Sequence, residues 1–266
     1  MPIQAQYNPL RFYADKRSRQ WENTENGKRI IAYQMYLDGE VYKCKIPQFS
    51  VIIDSLPEDP APTVSAKVYS CDGTEIVTIS DFATLGKVNY TQITYTGGVV
   101  ACSEIDNYEI KLTINGVDYW SDMFLWTTEL NDKLKITAES SKIRLGLYEY
   151  EMINNIHEFY VNLKPLSSNT YLKEEANENL AITSPNYGSS ALIRSYNILA
   201  NEPIFMFLRG LRILETNGSV VFTHKYISYQ AKDITTEIES DVVNADLLNV
   251  KIEFKVLNES VSVFNG

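Results

Sequence analysis

Residues 108–126 read Tyr-Glu-Ile-Lys-Leu-Thr-Ile-Asn-Gly-Val-Asp-Tyr-Trp-Ser-Asp-Met-Phe-Leu-Trp, and this stretch decides the fold class. Tyr108, Ile110, Leu112 and Ile114 alternate with polar residues, so one face of an extended segment is apolar. Asn115-Gly116 then supplies two residues that tolerate positive φ, and a second aromatic-rich run comes after it, which together predict a β-hairpin. Asp38-Gly39, Asp72-Gly73 and Asn217-Gly218 sit between runs rich in Val, Ile, Tyr and Phe, so the same reasoning predicts hairpins there.

Working outward, Ile30–Leu37 and Val41–Ile53 read as strands flanking Asp38-Gly39, with Pro47 marking an edge or a strand start. Asp54 to Pro62 carries three prolines and three acidic residues and is the most linker-like segment of the chain. It is placed to separate an N-terminal arm from the rest of the chain. Residues 63–128, with turn signals near every tenth position, read as an immunoglobulin-like β-sandwich. Arg144–Tyr150 and Glu158–Leu163 read as strands, and 167–190, rich in Ser, Asn, Glu and Gly, as a long excursion. Asn201-Glu202-Pro203 gives a cap, an early acid and an early proline before Ile204, Phe207, Leu208 and Leu211, which predicts a helix over 202–213. Val250, Ile252, Phe254 and Val256 alternate with charged residues, so the last strand buries one face. The expected fold is mainly β: residues 1–128 form an arm plus the immunoglobulin-like module, and 129–266 a second β-sandwich-like module with one short α-helix.

The chain has 266 residues, 44% apolar and 22% charged, a balance that sustains a folded core. Its net charge of −10 disfavours nucleic acid, since neutralising phosphates needs a basic field. It disfavours an anionic membrane for the same reason, and no apolar stretch approaches the roughly 18 residues of a spanning helix. The local exception is Lys16, Arg17, Arg19 and Trp21, with Lys28-Arg29 beyond: a solvated loop, or an arm that docks on an acidic neighbour such as another copy of the chain. The three cysteines, Cys44, Cys71 and Cys102, are widely spaced and odd in number, which suggests neither a disulfide scaffold nor a zinc site. The opening residues lack the charged start and apolar core of a signal peptide, so synthesis in a reducing cytoplasm is expected, and Asn-x-Ser/Thr triplets at Asn89, Asn217 and Asn258 read as chance matches.

Sequence motifs for covalent chemistry are missing. There is no dinucleotide or phosphate loop, no Gly-x-Ser-x-Gly and no His-Glu-x-x-His. His157 and His224 lie far apart, and His224 sits within a strand pattern. Carboxylates gather at Asp54, Glu58 and Asp59, at Glu174, Glu175 and Glu178, and at Glu237, Glu239 and Asp241, none with the spacing and central glycine of a calcium loop. The expectation is a non-enzyme without cofactor or metal. Tyr119, Trp120 and Trp126 offer rings for stacking on a sugar, although strand alternation sends Tyr119 and Trp120 to opposite faces and core packing is the commoner fate.

The run Tyr108-x-Ile110-x-Leu112, Gly116, Trp120-Ser121-Asp122-x-Phe124 resembles structural proteins of tailed phages and prophages of Bacteroidetes. Tyr7-Asn8-Pro9-Leu10, Ile46-Pro47-Gln48-Phe49, Phe159-Tyr160, Glu174-Glu175, Leu199-Ala200 before Glu202-Pro203, Leu208-Arg209 and the closing Val250-x-Ile252-Glu253-Phe254-Lys255 occur in matching order. The chain departs from that pattern at Asn179-Leu180-Ala181, where an Arg-Asp-Gly often succeeds the acidic pair. The resemblance implies a virion component of the tail, neck or baseplate. It would be made in the host cytoplasm, be present in several copies and contact other virion proteins and itself. A carbohydrate- or receptor-binding β-sandwich, an adhesin taking a host surface glycan, is the competing expectation.

Overall fold

The structure is a computed structural model that describes residues 3–4, 8–14, 31–56, 58–102, 106–140, 142–145, 148–151, 156–175, 189–200, 202–239 and 248–261. In the N-terminal half the strands are β1 (Ile3–Gln4), β2 (Phe12–Tyr13), β3 (Ile31–Asp38), β4 (Val41–Ile46), β5 (Phe49–Asp54), β6 (Val64–Ser70) and β7 (Glu75–Ile79). They continue with β8 (Ala83–Gly86), β9 (Tyr90–Tyr95), β10 (Gly98–Cys102), β11 (Asn107–Ile114), β12 (Val117–Ser121) and β13 (Phe124–Thr127). The C-terminal half runs β14 (Lys133–Ser140), β15 (Lys142–Leu145), β16 (Tyr148–Glu151), β17 (Ile156–Glu175), β18 (Ser189–Ala200), helix α1 (Glu202–Asn217), β19 (Gly218–His224), β20 (Ile227–Ile238) and β21 (Leu248–Val261). The protein is mainly β, with one helix among the described residues.

The hairpin at Asn115-Gly116 forms as expected. Asn115 (φ 51°) and Gly116 (φ 79°) are both left-handed, and β11 and β12 pair in the register Ile114↔Val117 and Leu112↔Tyr119. Gly39 and Gly73 likewise turn β3 into β4 and β6 into β7. Asn217-Gly218 does not make a hairpin. Asn217 ends α1 and Gly218 begins β19; the turn of that region is one hairpin later, where Lys225 (φ 56°) links β19 to β20. The predicted helix 202–213 extends to Asn217, and the predicted strand 144–150 is a small hairpin of β15 and β16.

The N-terminal half packs a sheet of β1, β5, β9 and β8 against one built around β6, β11, β12 and β13. Phe49, Val51, Ile53 and Ile93 from the first meet Val68, Ile110, Leu112 and Phe12 from the second in one core cluster. The Pro-rich segment is not a boundary: β5, before it, pairs with β9, after it, so the segment carries the chain from one sheet to the other. Prolines end strands and so mark a change of sheet as readily as a change of module.

Nor do the described N-terminal residues form a free arm. Leu10 and Phe12 are buried in the core, β2 pairs with β12, and β1 pairs with β5. Asn8 clamps residue 50 from both sides, its amide donating to the Ser50 carbonyl (2.6 Å) and its oxygen accepting the Ser50 N–H (2.8 Å).

In the C-terminal half the sheet closes on itself. Neighbours run β14–β19–β20–β21–β18–β17 and back to β14, all antiparallel, giving a six-stranded barrel. A barrel this small is filled by its own side chains. Leu134, Ile136, Phe159, Tyr196, Phe222, Tyr229, Ile252 and Phe254 are buried, and α1 adds Ile204, Phe207, Leu208, Leu211 and Leu214, so the apolar stripe of the helix completes the barrel core. Glu215 ties the helix to a bulge in β20: its carboxylate accepts the N–H groups of Asp233 (2.8 Å) and Ile234 (3.2 Å). The predicted excursion at 167–190 begins as a strand extension, since Ser168–Glu175 of β17 pair with Tyr196–Ser189 of β18.

β3 splices the halves. Ala32 lies opposite Leu125 of β13, in parallel, and opposite Tyr160 of β17, in antiparallel, so a single fifteen-stranded sheet runs from the sandwich into the barrel.

Candidate interaction surfaces

Among the residues expected to meet a partner, Lys16, Arg17, Arg19 and Trp21 lie outside the described residues. The aromatic set does not form a platform. Trp126 is wholly buried, its indole N–H donating to the Lys45 carbonyl (2.7 Å) and its ring 4.3 Å from that of Tyr108. Tyr119 also faces the core. Trp120 alone is partly exposed, beside Tyr69 (5.7 Å) and under the Lys111 ammonium (5.6 Å), which is paired with Asp118 (2.7 Å). The two-residue period of a strand separates Tyr119 from Trp120, and Trp126 sits on β13, between β11 and the central β3.

The histidines take separate environments. His224 ends β19 with its ring edge-on to Tyr196 (5.8 Å); burial, then the charges of Lys225 and Arg194, lower its pKa against a weaker pull from Asp132. His157 is in the core at the seam of the halves, 6.0 Å from the Phe207 ring, and burial pushes its pKa down to about 4. Neither of its nitrogens has a hydrogen-bond partner, and nor does the Tyr33 hydroxyl, whose pKa is raised by burial and by the Asp122 charge. Both side chains line a cavity of about 10 Å³, which is the size of one water. That volume admits no organic substrate. Sequence could not single out His157, because alternation places it on the core face only once the edges of β17 are known.

On the neighbouring outward position Glu158 joins Lys45 (2.9 Å) and Lys135 (2.8 Å). Burial raises the Glu158 pKa, but hydrogen bonds and charge from the two lysines outweigh it and the net shift is downward. Lys135 also lines an open cleft of about 490 Å³ with Lys133, Lys225, Tyr160 and Tyr226, between the β13–β14 connection and the β19–β20 turn. The cleft is a local basic spot on an acidic chain. Asp54, Glu58 and Asp59 stay near the Pro-rich crossing, and among the described residues no three His, Cys, Asp or Glu side chains converge as metal ligands. No described helix is long and apolar enough to cross a membrane.

The cysteines correct an expectation. Cys44 of β4 and Cys102 of β10 form a disulfide, while the exposed Cys71 lies outside it, its thiol donating to the Asp106 carboxylate (3.1 Å). The two strands are paired with Val100 opposite Cys44 and Cys102 opposite Tyr42, so both sulfurs fall on one face at diagonal positions. A separation of 58 residues conceals that proximity in the sequence. The bond fixes β10 to β4, and with β3 the three strands make a flap bearing the exposed side chains Tyr36, Leu37, Val41, Tyr42 and Val99.

No protein-family model, curated protein or solved structure matches the chain.

Proposed function

We propose that the chain is a non-enzymatic structural protein of a tailed-phage virion, built into the tail, neck or baseplate in several copies. The observation that carries this reading is the splice at β3, which makes the sandwich and the barrel one continuous sheet with strand edges and a long β17–β18 extension at its periphery. Such edges offer main-chain groups to other subunits, and repeated subunits bury them in symmetric contacts. The ordered sequence resemblance gives the context. Its acidic surface and basic segment at 16–29 suit contacts between copies and with other virion proteins.

The side chains able to do chemistry fit this role. His157 is enclosed in the core, and Glu158 is held between two lysines. Glycan recognition is less well supported, because Tyr119 and Trp126 are in the core and of the three rings Trp120, packed beside Tyr69 and Lys111, is the one at the surface.

The test is location. Antibody labelling of purified particles, viewed by electron microscopy, is expected to mark a fixed tail, neck or baseplate position. Chain present in the lysate but missing from purified particles overturns the reading.

A further inference from the structure

The strand pairing that joins the halves on the barrel side is short: β3 meets β17 over two rungs, Ala32↔Tyr160 and Ile31↔Val161. Next to Ala32, Tyr33 of β3 lines the cavity of about 10 Å³ together with His157 of β17. Tyr33 is 3% exposed and His157 2%, so neither side chain reaches bulk water. The other polar side chains around the cavity are already engaged. Lys45 and Lys135 hold Glu158, while Gln48 accepts the Ile156 N–H at Oε1 (2.9 Å) and donates from Nε2 to the Thr96 carbonyl (2.5 Å). Towards α1 the His157 ring stands perpendicular to that of Phe207 (83°), which carries no polar atom. The Tyr33 hydroxyl and the two His157 nitrogens are thus left without a hydrogen-bond partner, and they come from opposite halves of the molecule.

We propose that this cavity is a binding site for a single water molecule, which bridges the Tyr33 hydroxyl and one nitrogen of His157 and so ties β3 to the barrel wall. Size selects the occupant first, since a volume of about 10 Å³ holds one water and nothing larger. Polarity selects it again. Apolar cavities stay dry, whereas a buried hydroxyl and imidazole without partners forfeit the hydrogen bonds they made to solvent in the unfolded chain. Burial keeps His157 neutral, so one of its nitrogens is an acceptor and the other a donor. Water gives and takes hydrogen bonds, and it serves a hydroxyl on one side and either imidazole nitrogen on the other, which a monatomic ion cannot do. The bridge adds a polar link across a seam where the backbone supplies two rungs.

A crystal structure of the full chain at about atomic resolution reads the site directly. A density peak is expected about 2.7–3.2 Å from both the Tyr33 Oη and a His157 nitrogen. An empty cavity, or a direct hydrogen bond from Tyr33 to His157, overturns the proposal. In solution, Tyr33→Phe, His157→Phe and the double variant are compared by chemical denaturation at a pH well above the histidine titration range. Either single change leaves the water one partner, whereas the double variant makes the site apolar and dry. The loss in the folding equilibrium constant from the second substitution is therefore expected to be at least about fivefold smaller once the first is in place. Losses that simply multiply overturn the bridge. The crystal structure uses the parent protein, so a variant that fails to fold leaves the site open to refutation.

Discussion

A Cβ placed on Gly218 would stand 1.8 Å from the carbonyl oxygen of Glu139. Gly218 begins β19 directly after α1 and pairs with Ser140 at the end of β14, so the chain passes from helix to barrel wall with its backbone pressed on the neighbouring strand. Gly218→Ala is expected to destabilise the protein by about 3 kcal/mol or more, because both partners in the clash are backbone and neither rotates away. Chemical denaturation of the variant checks this; a loss under about 1 kcal/mol would mean that the strand shifts freely at that point.

Asp122 fastens the N-terminal residues. Its carboxylate accepts the Arg11 N–H (2.8 Å), and its own N–H donates to the Arg11 carbonyl (2.9 Å), next to the buried Leu10 and Phe12. Asp122→Ala is expected to cost about 1.5–3 kcal/mol, the range for a hydrogen bond to a charged group, and to bring cleavage by a nonspecific protease to residues 8–13. Removal of residues 1–29 should do more than detach an arm. It takes Leu10 and Phe12 from the core, each worth about 1.5–3 kcal/mol, and the truncated chain is expected to unfold at a lower temperature.

Buried neutral histidine makes stability depend on pH. The His157 pKa falls from 6.5 in the open chain to about 4 in the fold, so between those values the unfolded state binds more protons. Stability is therefore full above pH 6.5 and is lost as pH falls towards 4, by about 3 kcal/mol at most from this group. His224, also lowered, adds a smaller slope of the same sign. Denaturation midpoints of His157→Phe across this range are expected to decline less steeply than those of the parent protein, while an unchanged slope would assign the effect elsewhere.

The Cys44–Cys102 bond closes a loop of 58 residues, which in the chain-entropy account is worth about 4 kcal/mol. Adding a reductant is expected to lower the melting temperature of the parent protein and to leave that of a Cys44→Ser, Cys102→Ser double variant unchanged. Equal melting of the parent with and without reductant would deny the bond a structural part.

The legible portions of the fold were those settled by local chemistry. Asn115-Gly116, the alternation in β11 and β21, and the Glu202-Pro203 start of α1 each fix their element within a few residues. Asn217-Gly218 misled because the same dipeptide serves a hairpin or a helix end, and what decided it was the approach of β14. The Pro-rich crossing, the burial of Leu10, the barrel closure between β14 and β17 and the Cys44–Cys102 pair all depend on partners far along the chain. Of the candidate surface residues, strand alternation foresaw the separation of Tyr119 from Trp120, but the burial of Trp126 comes from the placement of β13 beside β3.

Because Ala32 is bonded laterally to both Leu125 and Tyr160, no pivot exists at the splice. Twisting one half against the other would break the sheet ladder at its middle, at a cost spread over several hydrogen bonds. The subunit should therefore travel into an assembly as a rigid block, with adaptation to curvature confined to its turns and edges, and stress applied at one end should be delivered to the other with little compliance between.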